Sequence, residues 1–264
     1  MRTMLRDVSV LTVRNLLHIR REPLQLSDVT VQPVLFTLLF TYVFGAGVLL
    51  PHHGSYNAFA IAGLLALNLT TSSMGTAVGL STDLASGAID RFRTLPIWRP
   101  AVLAGRSLAD LLTASLCATI VALMGLIIGW RPGDGVARML AGFALFLFFS
   151  YAISWYCACL GILSKGPESA QGLGLIVLFP LAFVSNAMVP TQHMPAVLRV
   201  IANWNPVSAV TAAARELWGN PNPSASIGAW PMQHPVAASL IWSAAILLVF
   251  APLAAFLYRR RTTD

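Results

Sequence analysis

The sequence predicts an all-α membrane protein of six transmembrane helices. It adds an interfacial helix ahead of them, a short cytoplasmic helix between spans two and three, and an extracellular re-entrant helical hairpin before span six. Two observations carry this expectation. Hydrophobic residues make up 56% and charged residues 10% of the 264 residues, a balance that cannot dress a soluble surface. The apolar residues also gather into six runs, 29–50, 59–82, 101–130, 139–163, 172–188 and 235–258. Each is near the length that crosses about 30 Å of hydrocarbon as a helix. Residues 1–264 read as a single transmembrane domain.

In order along the chain, residues 1–27 interleave Arg2, Arg6, Arg14, Arg20 and Arg21 with Leu5, Val8, Leu11, Leu16, Leu17 and Ile19. This pattern predicts an amphipathic helix lying in the cytoplasmic interface and ended by Pro23. Charges run through the apolar residues and no small-residue cleavage site follows a compact apolar core, so the segment is not read as a signal peptide. A flexible tail is the competing reading, and the apolar spacing speaks against it. Arg91, Arg93, Arg99, Lys165, Arg259, Arg260 and Arg261 fall on the side of the arginine-rich start, whereas residues 51–58 carry no arginine or lysine. The positive-inside rule therefore places both termini in the cytoplasm.

The connection 83–100 concentrates charge in a chain that is otherwise nearly all hydrocarbon. As a helix it would place Leu84, Ala88, Phe92 and Leu95 on one face and Asp83, Gly87, Asp90 and Arg91 on another, until Pro96 and Pro100 end it. Such an element can lie on the membrane with its polar face turned to a partner. The same charges are equally what a solvated cytoplasmic loop would carry.

Residues 189–234 are long, semi-apolar and broken by Pro190, Pro195, Pro206, Pro221, Pro223 and Pro231. Two pieces, Met194 to Trp204 and Pro206 to Leu217, each open with proline in the first turn and suit short amphipathic helices. Together they can dip into the outer leaflet only where protein covers their broken backbone. An ordinary extracellular loop anchored by Trp204 and Trp218 is the alternative.

Two strings carry a family resemblance. Asp83, Gly87, Asp90, Arg91, Phe92, Arg93, Leu95, Pro96 and Ile97, followed by Gly105, Arg106 and Asp110, resemble the loop between spans two and three of ABC-2 type permeases. The likeness is strongest to their daunorubicin-resistance branch. Met194, Pro195, Leu198, Ala202, Asn205, Pro206, Val207 and Ser208, then Ala214, Arg215 and Leu217, are similar to the extracellular signature after span five in the same proteins. The resemblance implies that 83–100 holds a coupling helix docking on a separate ATPase subunit. It further implies that ATP and Mg are bound by that partner, and that two permease copies, or a copy and a paralogue, work as a dimer among membrane lipids. The implied place is the bacterial plasma membrane and the implied role is export. Amphiphilic drugs or antibiotics and lipid-like products both remain open as cargo.

The chain offers no nucleotide site of its own. A P-loop needs lysine after glycine and before serine or threonine, and the single lysine, Lys165, sits in Leu-Ser-Lys-Gly-Pro. ATP-driven transport therefore requires another chain, and no cofactor is expected on this one. The formal net charge of +7 is spread between apolar runs instead of forming one basic face, which argues against nucleic acid. Cys117, Cys157 and Cys159 lie within apolar runs and read as packing residues. His52 and His53 are adjacent but lack a third ligand at a credible spacing, so no metal site is expected. No nucleophile motif is present, and none of the residues reads as catalytic.

Arg106 and Asp110 stand four apart on one helical face inside span three, where unpaired charge is costly, so they are expected to pair. That pair could line a translocation path or be a neutralised structural bridge. The functional alternative to a permease is a six-span integral membrane enzyme acting on a lipid. It would need buried polar residues from several helices converging within the bilayer, and beyond Arg106, Asp110 and Asn68 the spans offer few.

Overall fold

A computed structural model describes residues 2–21, 23–44, 56–86, 101–133, 135–223 and 228–261, and these residues form helices and connections without a strand. The first helix, α1 (Arg2–Arg21), gives way at Pro23 to α2 (Pro23–Leu39), which runs into a π-helical turn at Phe40–Phe44. Proline suits the first position of a helix because its missing N–H has no intrahelical partner there. Next come α3 (Tyr56–Ser72) and α4 (Met74–Ala85), a single apolar stretch interrupted at Ser73, and then α5 (Ala101–Ile127). The chain continues through α6 (Val136–Leu163) and α7 (Pro167–Phe183). Two short helices follow, α8 (Ala196–Trp204) and α9 (Pro206–Leu217), then one turn α10 (Trp230–Gln233) and the long α11 (Pro235–Arg261).

Four stretches are long and apolar enough to cross a membrane: Tyr56–Ala85, Ala104–Ile127, Val136–Leu163 and Pro235–Arg261. Shorter apolar helices fall at Val29–Val43, within the segment expected as span one, and at Pro167–Phe183, which overlaps the segment expected as span five. The expected span at 172–188 is displaced: its helix begins at Pro167 and stops at Phe183. Val184 closes it, its N–H reaching the carbonyl of Pro180. Ser185, Asn186 and Ala187 then leave the helix because their backbone and side chains are engaged by α9 and by each other.

The most apolar of the four long helices, α11, is the least buried, with 11% of its central window inside the protein, whereas 72% of the α3–α4 stretch is buried. In water this order would be reversed. In a bilayer it is what lipid contact selects, because hydrocarbon chains solvate leucine as well as a protein core does. The interior consequently forms around α3. Phe59, Ile61, Leu64, Leu65 and Leu69 meet Phe146, Phe149 and Ile153 of α6 and Val207, Val210 and Trp218 of the α9 segment in one buried cluster. Close approach depends on glycine in two places. A Cβ on Gly63 would overlap the carbonyl of Ala187, and one on Gly161 would lie 2.5 Å from the carbonyl oxygen of Ala77.

Three long-range contacts define one end of the bundle. Thr12 of α1 donates to the carbonyl of Gly105 at 3.2 Å, Arg14 pairs with Asp83, and Arg261 donates to the carbonyl of Ser164 at 2.9 Å. Helix α1 and the end of α11 thus share an end with the connections that join α4 to α5 and α6 to α7. The opposite end holds 128–133 and the α8–α9 pair, joined by the N–H of Gly133 to the carbonyl of Trp218 and by Trp130 to Asn220.

Candidate functional site

The two short helices expected in 189–234 form where proline places them, and polar side chains fix them. Pro195 caps α8 and Pro206 is the first residue of α9. Asn205, between them, accepts from the backbone N–H of Val207 at 2.8 Å and donates to the carbonyls of Leu181 and Val184, both at 2.7 Å. It thereby caps α9 and satisfies carbonyls at the frayed end of α7. Met194, just before the cap, closes the short turn Thr191–His193 through its N–H to the carbonyl of Thr191 at 3.1 Å.

Arg215 is fully buried. Its guanidinium donates four hydrogen bonds of 2.8–3.2 Å to the carbonyls of Phe59, Asn186 and Ala187, and lies 3.6 Å from the centre of the Phe59 ring. Backbone dipoles and an aromatic face thus hold the cation. The signature residues therefore lock α9 to the start of α3 and to the broken segment after α7. Beside them Trp218 donates to the carbonyl of Met139 at 3.1 Å and packs on Trp130, Phe143 and Phe146. The Trp130 indole donates to Asn220, whose amide donates to the carbonyl of Ala58.

At the other end, Arg106 and Asp110 of α5 face each other with Nε 3.6 Å from Oδ1. Asp110 also accepts from Thr76 at 2.7 Å, and Arg106 donates to the carbonyl of Gly75 at 2.7 Å. The guanidinium occupies the space a Cβ on Gly79 would need. The ion pair is thus a bracket between α4 and α5. One turn beyond, Asp83 takes a 2.9 Å hydrogen bond from Arg14 of α1. Asp83 and Leu84, read from sequence as the start of the cytoplasmic element, fold as the last turn of α4 with Ser86 as its cap. Gly87, Asp90, Arg91, Phe92, Arg93, Leu95 and Pro96 lie outside the described residues, as do His52 and His53.

Both ion pairs border a partly open cavity of about 490 Å³ lined by residues of α1, α2, α3, α4, α5, α6 and α7. Its wall is unusually polar for this chain, with Asn68, Thr71, Thr113, Ser150, Ser154 and Gln171 among the lining residues. Sequence reasoning noticed Asn68 but not the ring of hydroxyls. The signal was present in the run from Thr70 to Ser73 and in hydroxyls recurring on spans three and four, each unremarkable alone because a helix can absorb it. Among the described residues no three His, Cys, Asp or Glu side chains converge as a metal site requires.

Residues 6–217 match the family model described as ABC-2 type transporter. The chain belongs to this family. As an ABC-2 type protein it is a multi-pass permease of an ABC transporter, and its relatives cover it almost end to end. A daunorubicin resistance ABC transporter permease, DrrB1 of Streptomyces coeruleorubidus, is 34% identical over 248 residues, 94% of this chain and 84% of the relative. A protein of Mycobacterium tuberculosis described as a doxorubicin resistance ABC transporter permease, DrrC, is 25% identical over 253 residues, 96% of this chain and 88% of its own length. The transport permease ycf38 of Pyropia yezoensis is 25% identical over 223 residues, 83% of this chain and 76% of its own. The ABC-2 match covers both ion pairs, every residue lining the cavity and the Asn205–Arg215 lock.

Proposed function

We propose that this chain is the membrane-embedded half of an ATP-driven exporter that moves an amphiphilic drug, antibiotic or lipid-like compound out across the bacterial plasma membrane. The observation that carries this reading is the 34% identity to a daunorubicin resistance permease over nearly the whole chain. In the proposed assembly two permease copies, or a copy and a paralogue, span the bilayer with six helices each and both ends in the cytoplasm. Two ATPase subunits beneath them bind ATP and Mg.

Force enters through 83–100. Asp90, Arg91, Phe92 and Arg93 dock on the ATPase as a coupling helix. Because α4 ends at Ala85 and α5 begins at Ala101, any displacement of that helix pulls on the two helices bracketed by Arg106 and Asp110. Residues 189–234 form the re-entrant hairpin of the outer side. In α8, Val197, Val200, Ile201 and Trp204 are exposed on one apolar face, a surface suited to the outer leaflet.

The enzyme alternative requires convergent polar residues, and the cavity brings some together. Among the described residues, both carboxylates on its wall are engaged by arginine and no histidine or cysteine lines it, so none of them is a poised nucleophile or free base. Co-expression with a candidate partner ATPase tests the permease reading. The two chains should copurify, and hydrolysis by the complex should rise on adding daunorubicin. An enzyme would instead convert a lipid in the absence of any ATPase.

A further inference from the structure

We propose that α1 is a releasable clasp at the rim of the cavity, fastened across the roots of α4 and α5, and that its release widens access to the polar wall. The geometry stands on the fold alone, and only a part in transport rests on the permease reading. Two residues of α1, Arg14 and Asn15, line the cavity. Asn15 is buried, whereas the Arg14 side chain is 40% exposed, so Arg14 stands at the rim. The two fastenings flank the connection 83–100. On α4, Asp83 takes a 2.9 Å hydrogen bond from Arg14, and Leu80 and Leu84 pack with Leu11 and Val8. On α5, Thr12 donates to the carbonyl of Gly105 at 3.2 Å. Gly105 is so close that a Cβ there would lie 2.8 Å from the Cβ of Leu11 and 3.2 Å from the carbonyl oxygen of Val8. Asp83 and Arg106, beside these fastenings, are themselves part of the cavity wall.

Each fastening is weak enough to release. Thr12 shares its hydroxyl proton with the carbonyl of Val8, at 2.8 Å, and the bond to Gly105 is the longer of the two. The Arg14–Asp83 pair is partly solvated, and such pairs hold little. Between Val8 and Leu17 only Leu11, Thr12 and Asn15 are buried, while Val10, Val13 and Leu17 turn outward. A helix held along one narrow face opens more readily than the bundle beneath it. Its outward apolar residues suit the membrane interface, so α1 keeps a place to rest after it lets go. The helix also breaks between Arg21 and Pro23, which lets α1 swing without unwinding α2. The Arg106–Asp110–Thr76 bracket is independent of α1, so α4 and α5 stay joined when the clasp opens.

The test uses the full chain in phosphatidylcholine nanodiscs, its native cysteines replaced, with a water-soluble maleimide. The reporter is Ser154→Cys, a buried position on the α6 side of the wall. Arg14→Gln and, separately, Asp83→Asn should speed its labelling by about two- to five-fold, the factor an exposed ion pair adds to a closed state. Gly105→Ala, whose new Cβ pushes Leu11 away from α5, should speed it as well. The exchanged pair, Arg14→Asp with Asp83→Arg, should bring the rate back down. Spin labels at Val10→Cys and Leu163→Cys, both exposed, should gain a longer distance in each open variant and lose it in the exchanged pair. A control reporter, Ser243→Cys, fully buried and off the cavity wall, should keep the same rate throughout. Unchanged labelling in Arg14→Gln or in Gly105→Ala, faster labelling without the longer distance, or an exchanged pair that stays open would overturn the inference. So would a control reporter that quickens in step with Ser154→Cys, since the variants would then loosen the whole bundle. No ATPase or nucleotide is present, so the two ideas fail separately. A working clasp without ATP-driven transport counts against the permease reading, and transport with access indifferent to α1 counts against the clasp.

Discussion

A guanidinium taken out of water costs several kcal/mol unless its charge and every N–H are answered, and Arg215 is answered by backbone. Three carbonyls and the Phe59 ring surround it, so the residue serves as the hub joining α9, the start of α3 and the segment after α7. Arg215→Met should leave those carbonyls unpaired and cost about 3 kcal/mol or more. The loss should appear as a clear fall in the thermal unfolding midpoint of the purified chain. Arg215→Lys keeps the charge but cannot span three acceptors with a planar fork, and should recover only part of the loss. Full recovery by lysine would show that charge alone matters there. The Arg14–Asp83 pair is of another kind, with the Arg14 side chain 40% exposed. A double-mutant cycle should give it a coupling of only about 0.5–1 kcal/mol, so its consequence is to orient α1 against α4 more than to stabilise them. The sequence announced Arg106 and Asp110 as a pair through their spacing. It could not announce Arg14 with Asp83, whose partners are brought together only by the packing of α1.

At the scale of the element, proline and asparagine made the α8–α9 hairpin legible. Pro195, Asn205 and Pro206 set helix starts by local chemistry that needs no tertiary information, and the helices begin there. The end of α7 was not legible. Residues 172–184 are apolar throughout, and the helix stops at Phe183 because Ser208 and Arg215, 22 to 29 residues later, claim the backbone of 186–187. The break at Ser73 between α3 and α4 was equally hidden, since hydroxyl residues from Thr70 to Ser73 bond back onto their own helix. For the proposed coupling element, Phe92 stands between two arginines in the sequence and would offer the ATPase an apolar plug, while charges at the rim of such a contact would contribute little each. Phe92→Ala should uncouple ATP hydrolysis from transport while leaving membrane insertion and assembly intact. Normal coupling, with the ATPase still bound at wild-type affinity, would return Phe92 to the role of a lipid anchor.

For the whole molecule, composition alone specified a helical membrane protein, and the inverted burial of α11 relative to α3 is how that composition is expressed in space. What composition could not locate is the polar cavity, because its wall is drawn from seven helices and each contributes one or a few residues that look incidental on their own run. Topology is open to cysteine labelling in intact cells: a cysteine at Gly54 should react from outside and one at Ala88 should not, and external access at Ala88 would invert the proposed orientation. The central claim is that this chain moves its cargo with energy supplied by a separate ATPase. It is tested most directly in inside-out vesicles carrying this chain and the ATPase that copurifies with it, by following daunorubicin accumulation on addition of ATP. Accumulation should require both chains and ATP, and should vanish when the P-loop lysine of the ATPase is replaced. Accumulation or ATP turnover by this polypeptide alone would contradict the account.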